Sequence, residues 1–154
     1  MSEEVARYWR HPGIPGVDLL RARFVTHRYA RHAHEGYTIG LIEDGVEEFD
    51  VPGAVHRAVA GTIVIVNPEV VHTGQAGTPD GWAYRGAYPR VDFVAGIAAE
   101  LGARSGTPYF PRSVIDDPGS ARLLRVAHRA AEHGDALTAS SHMRAAIARL
   151  LRRH

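Results

Sequence analysis

Tyr29-Ala30-Arg31-His32-Ala33-His34-Glu35-Gly36-Tyr37-Thr38-Ile39-Gly40 is the stretch on which the reading of this chain turns. In an extended backbone side chains two apart share a face, so His32, His34, Gly36, Thr38 and Gly40 point one way. That face is two imidazoles followed by three small residues. The other face carries Glu35, Tyr37, Ile39 and Leu41, whose bulk suits packing against neighbouring structure. Small residues lining a barrel leave a cavity, and imidazoles at its mouth supply polar groups able to orient a ligand.

Outward from this stretch, the text up to about Ile115 is short runs of β-branched and aromatic residues punctuated by glycine and proline, the pattern of a barrel or sandwich. Leu20 to Val25 alternates apolar and basic residues, with Leu20, Ala22 and Phe24 on one face. Tyr37 to Glu43 reads as a strand ending at Asp44-Gly45, a dipeptide suited to a tight hairpin turn, with Val46 to Val51 returning. Pro52-Gly53 makes another turn. Val55 to Ala60 then leads through Gly61 into Thr62-Ile63-Val64-Ile65-Val66, which is apolar on both faces and therefore central. Asn67-Pro68 breaks that strand, Gly74 to Gly81 reads as a loop, and Trp82 to Tyr88 resumes extended structure.

Helical signals begin weakly at Val91 to Leu101 and become strong from Asp117. Asp117-Pro118 sets a capping carboxylate before a first-turn proline, where the missing N–H costs nothing. The helix should run to about His133, with Gly134 as its left-handed stop, and a second helix from near Thr138 carries Met143, Ile147, Leu150 and Leu151 at helical spacing. The stripes are narrow and alanine-rich (Ala127, Ala130, Ala131, Ala139, Ala146), suited to close packing against the barrel, each other or a second copy of the chain. We expect a homodimer through 116–154.

The composition narrows the options. The 154 residues, 45% hydrophobic and 23% charged, suit one globular domain with a real core. No apolar run approaches the roughly 20 residues that span a bilayer, and the acidic Met1-Ser2-Glu3-Glu4 is unlike a signal peptide, so a cytoplasmic location and no membrane partner are expected. There are no cysteines, so a metal would need histidine or carboxylate ligands, and the chain has ten histidines. A net charge of +1 gives no footprint for non-specific phosphate binding. From Asp117 onward, seven arginines against three acidic residues leave +4, read as the solvated face of a helix pair.

A third histidine, His72, follows the turn at Asn67-Pro68. Two histidines on one strand and one from a neighbouring strand can set three nitrogens around an ion, so His32, His34 and His72 form the candidate metal site. The reading requires no cofactor and admits a divalent metal ion there. His27, His56, His128, His133 and His142 read as structural or solvent-exposed. Arg21, Arg23, Arg28 and Arg31 form a basic run, either a solvated strand face or a contact for an anionic ligand.

His32-x-His34, then Gly45 closing a hairpin, then Gly61 beginning a strand that ends in Pro68 and His72, resembles the two-part motif of the cupin superfamily. The cupin pattern would put a glutamate where this sequence has Thr38, and neither Glu35 nor Glu43 replaces it, which weakens the case for metal. The fuller text, from Gly16-Val17-Asp18-Leu19-Leu20 through Thr26-His27-Arg28-Tyr29 and the His32-x-His34 strand to Asn67-Pro68-Glu69-Val70-Val71-His72-Thr73-Gly74, resembles the sensor domains of AraC-type transcription regulators. The terminal helix pair fits as well.

The resemblance implies a mainly β fold, a cupin-like antiparallel β-barrel (jelly roll) followed by a C-terminal α-helical hairpin. Its parts would be an N-terminal arm (1–15) able to fold over the opening, a barrel with a short helix (16–115) and a dimerisation helix pair (116–154). It implies a small-molecule effector inside the barrel, with DNA contacted only through a C-terminal helix-turn-helix domain absent from this chain. By strand parity Trp82, Tyr84 and Gly86 share one face, and the resemblance turns that face inward. The expected ligand-binding residues are His32, His34, Thr38, His72, Trp82 and Tyr84, with Tyr8 and Trp9 as arm contacts, and no catalytic residue is assigned. Two alternatives stand beside this. One is a small metal-dependent cupin enzyme using the three histidines, opposed by the missing carboxylate and the lack of another inward-facing general base. The other is a protein that only dimerises, its interior filled by side chains.

Overall fold

The computed structural model describes residues 4–103 and 106–154. In chain order they form β1 (Val5–Arg10), β2 (Val17–Phe24), β3 (Tyr29–His32), β4 (Thr38–Val51), β5 (Ala54–Val59), β6 (Ile63–Val66), β7 (His72–Ala76) and β8 (Trp82–Pro89). There follow α1 (Val91–Glu100), β9 (Val114–Ile115), α2 (Pro118–Glu132) and α3 (Ala136–Arg153). One run of strands is ordered β1-β2-β8-β4-β6-β9, and β3, β7 and β5 join through the far half of β4. Every pairing is antiparallel. This is the mainly β barrel with following helices that the sequence suggests. No helix among the described residues is long and apolar enough to cross a membrane.

Two apolar clusters share the strands by alternation. On β2, Val17 and Leu19 face the helices, whereas Leu20, Ala22 and Phe24 face into the barrel; on β6, Ile63 and Ile65 go outward to the helices and Val64 and Val66 inward. All four β6 residues are buried, with β4 on one side and β9 on the other, which is why that run carries no polar face. Tyr37, Ile39 and Leu41 lie in the helix-side cluster as expected.

The hairpin expected at Asp44-Gly45 does not form. β4 runs on for 14 residues, and the register with β8 shifts between Ile42 and Asp44. Gly45 has φ +71°, and a Cβ there would collide with the carbonyl oxygen of Gly81. A bulge that leaves Glu43 as the extra residue, followed by Gly45 at positive φ, turns the strand from β6 and β8 toward β5 and β7. The extra residue also reverses the alternation: Gly40 and Ile42 face in before the bend, Glu47 and Phe49 after it. The true hairpin is the next turn, at Pro52-Gly53, with Gly53 at φ +89°. The loop expected at Gly74 to Gly81 is also shorter, because Gly74 to Ala76 complete β7.

The N-terminal segment expected as an arm is, over Val5–Arg10, a strand paired with β2 from Val5↔Arg23 to Arg10↔Asp18. Glu4 ties it down, its Oε1 accepting the backbone N–H groups of Val25 (2.9 Å) and His27 (3.0 Å).

At the other end, Asp117 caps α2 through the N–H of Ser120, and Asp135 caps α3 through the N–H of Thr138, so α3 starts two residues before the expected Thr138. Gly134 takes φ +76° between them. Ala127, Ala130, Ala131, Ala139 and Ala146 are buried within the chain, with Met143, Ile147 and Leu150. The alanine stripes are therefore consumed in seating the helix hairpin on the sheet.

That seat contains a charged cluster. Arg85 on β8 is 4% exposed; its Nε lies 2.9 Å from Glu43 Oε1, and its guanidinium also donates to Glu132 of α2. Glu43 is thus an outward partner for arginine. His128, also on α2 and buried, donates from Nε2 to the carbonyls of Leu20 (3.1 Å) and Gly86 (3.2 Å), while its Nδ1 accepts from Arg85 (3.0 Å). Burial first, and the neighbouring arginine second, push its imidazole down to about 4.

Gly45→Ala combines left-handed strain with a backbone collision and is expected to cost about 2–4 kcal/mol of unfolding free energy, read from the urea midpoint. His128 is neutral in the folded protein below the pH at which the unfolded chain, with an ordinary imidazole near 6.5, takes up a proton. Unfolding therefore binds a proton between about pH 6.5 and 4, and stability should fall by about 3 kcal/mol as pH drops through that window. Denaturant midpoints for His128→Gln should be flatter with pH across it.

Candidate functional site

The three histidines named from sequence converge. His32 closes β3 directly opposite His72, which opens β7. His34 lies in the turn before β4, where its carbonyl accepts the N–H of Glu69 at 2.8 Å, and Glu69 makes this reach with φ +64°. Ring centroids stand 4.2 Å apart for His32 and His72, 4.9 Å for His32 and His34, and 5.4 Å for His34 and His72. One ligating atom from each lies within 4.8 Å of the others.

Local backbone orients two of the rings. Nδ1 of His32 donates to the Ala30 carbonyl (2.6 Å) and Nδ1 of His72 to the Val70 carbonyl (2.9 Å), leaving Nε2 of each as an acceptor or ligand. Burial lowers His34, with the charge of His32 adding to it. Burial also dominates at His72 and carries it down to about 4 against the opposing bond to Val70. Both rings keep a free lone pair at neutral pH, the state that binds a metal or accepts a ligand's hydrogen bond. The donor set fits a divalent ion with three nitrogens. Thr38, where the cupin sequence pattern would have a carboxylate, lines the same cavity, and its Oγ1 is buried without a hydrogen-bond partner among the described residues.

These groups border a cavity of about 410 Å3 inside the barrel. Thr38 and Gly40 line it as the alternation predicts, and Leu20, Phe49, Val64 and Val66 give it an apolar wall. Gly36 does not reach it, for it packs against the backbone at Pro89 and Arg90. Tyr84 lines the cavity, its hydroxyl 2.8 Å from that of Tyr29. Trp82 does not: it is fully buried behind Tyr84, stacked at 6.1 Å and 10° between planes, so this expected contact is core packing. Tyr8 sits at the rim and donates to Asp18. Trp9, next along β1, faces the other way, edge-on to His128 at 5.1 Å. None of Arg21, Arg23, Arg28 and Arg31 lines the cavity.

Among the lining residues that escaped the sequence reading, three bear on the chemistry of the cavity. Tyr88 continues the alternation of Trp82, Tyr84 and Gly86 by one more step and was there to be found. Tyr29 precedes the histidines in the quoted stretch. Glu47 was hidden by the bulge, since an unbroken alternation through Thr38 and Gly40 turns it outward. In the structure it lines the cavity, and burial alone pushes its carboxyl up to about 8. The expectation that no further acid or base faces inward is therefore corrected.

A barrel of this topology has the cupin-type fold. Two solved structures agree with that fold: a cupin-like protein from Thermotoga maritima (22% identity, TM-score 0.50, covering 56% of this chain and 68% of that one) and a cupin superfamily protein from Desulfitobacterium hafniense (13% identity, TM-score 0.50, covering 57% and 78%). Within that class the chain belongs to the AraC-like ligand binding domain family, whose model matches residues 14–147. None of the curated proteins compared with it matches the chain.

Proposed function

We propose that this chain is the effector-binding domain of an AraC-type transcription regulator, holding a small molecule in the barrel cavity. The observation that carries the reading is the cavity itself: a space of about 410 Å3 inside the barrel whose wall is apolar and aromatic, with a few convergent polar groups, in a member of a ligand-binding family. Thr38 Oγ1 and the free Nε2 atoms of His32 and His72 are polar groups for a ligand to satisfy. The protein would act as a homodimer through 116–154, using faces of α2 and α3 other than the alanine stripes, and would reach DNA only through a separate helix-turn-helix module. Ligand occupancy would shift the position of the helix pair or of the N-terminal strand by differential affinity for two arrangements.

A second reading has a specific observation behind it. Glu47 shares the cavity with the three histidines, so an acid and a candidate metal centre occur together, as a small cupin enzyme needs. There the divalent ion would supply Lewis-acid chemistry, while His32, His34 and His72 would hold it and Glu47 would hold or release a proton. The family match favours the regulatory reading.

Native mass spectrometry tests the first reading in both of its parts. The protein purified without denaturant is expected to run as a dimer with one small organic molecule per chain. Gly40→Val, whose first added carbon meets only Tyr84 and Val64 at 3.8 and 3.9 Å, should fold, remain dimeric and lose the molecule. A monomer with an empty cavity in both proteins would count against it. For the second reading, cobalt(II) should bind at one equivalent with a visible nitrogen-ligand spectrum lost in His72→Ala. Turnover that depends on metal and disappears in Glu47→Gln would move the assignment to an enzyme.

A further inference from the structure

Glu47 is a carboxyl in the cavity wall that has no ion-pair or hydrogen-bond partner among the described residues and no place in the histidine cluster. It stands on the far half of β4, opposite Ala58 of β5 and Ala76 of β7. Gly74, two residues along β7 from Ala76, leaves it room, because a Cβ there would come within 2.9 Å of Oε2. The lone carboxyl thus occupies space that the fold keeps open for it.

The charge around it is one-sided. The chain's 18 cationic side chains are all arginines, and among the described residues none lines the cavity, whereas Glu47 and, at the rim, Asp18 do. Tyr29 of β3 and Tyr84 and Tyr88 of β8 are the titratable groups that influence the carboxyl from packed elements, and each is held neutral by burial. β5 and β7 offer it Ala58, Gly74 and Ala76. Desolvation in the cavity wall, with no counter-charge among the described residues, pushes this acid up to about 8 and favours its protonated form, and an entering cation would convert it to the carboxylate. The tyrosine rings add faces on which a cation is attracted. An anionic ligand would meet an acid and no arginine, and a neutral one would leave the carboxyl's isolation without use.

We infer that the cavity is built for a small organic ammonium ion, its nitrogen set against Glu47 among the tyrosine rings and its apolar body against Leu20, Phe49, Val64 and Val66. The inference rests on the cavity being the ligand chamber. Binding would release one proton from Glu47, so affinity should rise with pH up to about 8 and level off above it, by about tenfold per unit below that point.

Three probes of similar size separate the cases: 2-phenylethylammonium, 2-phenylethanol and phenylacetate, titrated by calorimetry into the wild-type chain and Glu47→Gln. The expected result is ammonium binding at least about tenfold tighter than either other probe at neutral pH, with one proton released to buffer. In Glu47→Gln, which mimics the protonated acid and should fold normally, the ammonium preference and proton release disappear while the alcohol binds as before. Equal or tighter binding of the alcohol or the carboxylate, or a preference that survives in Glu47→Gln, overturns the inference and leaves the chamber reading standing. Binding of none of the three at millimolar concentration overturns both.

Discussion

A strand that serves two sheets must change direction and facing in its middle, and β4 does both between Ile42 and Gly45. The residues before the bend build the floor of the histidine site through Thr38 and Gly40; those after it deliver Glu47 and Phe49 to the same chamber. With no bulge the strand would present Glu47 to the outside and drive apolar residues out of the core, because a one-residue slip exchanges every side chain between faces. Only glycine can take position 45, since it alone combines φ +71° with contact against the Gly81 carbonyl.

The parts of the molecule that the sequence made legible are those governed by unbroken periodicity. Alternation separated Leu20, Ala22 and Phe24 from the helix-facing side chains, marked β6 as central, and put Thr38 and Gly40 on the cavity side with the histidines. Helix ends were legible through Asp117 and Gly134, whose side chain and conformational freedom act locally. What stayed hidden depends on contacts remote in sequence. Asp44-Gly45 supplies the same backbone angles to a bulge as to a hairpin, and only the partner strands decide between them. Trp82 and Tyr84 share a parity, yet depth within the barrel gives one the cavity and the other the core.

The charged cluster under α2 illustrates the same limit. Arg85 and Glu43 sit in strands and Glu132 and His128 in a helix, and nothing local marks them as partners. Removing Glu132 would leave a buried guanidinium with Glu43 as its remaining counter-charge beside the neutral His128, a loss of the kind that costs several kcal/mol. The alanine stripes explain how the cluster can close: small side chains let α2 and α3 sit near enough to the sheet for a histidine ring to reach its backbone.

His128 spans the carbonyls of Leu20 and Gly86, one on each of two adjacent strands, and Leu20 also belongs to the chamber wall. Sliding the helix along the sheet by even one residue would strand both oxygens and an arginine in a dry interface. Wall and helix are thus pinned together, so that a displacement of Leu20 would carry α2 with it rather than slide beneath it.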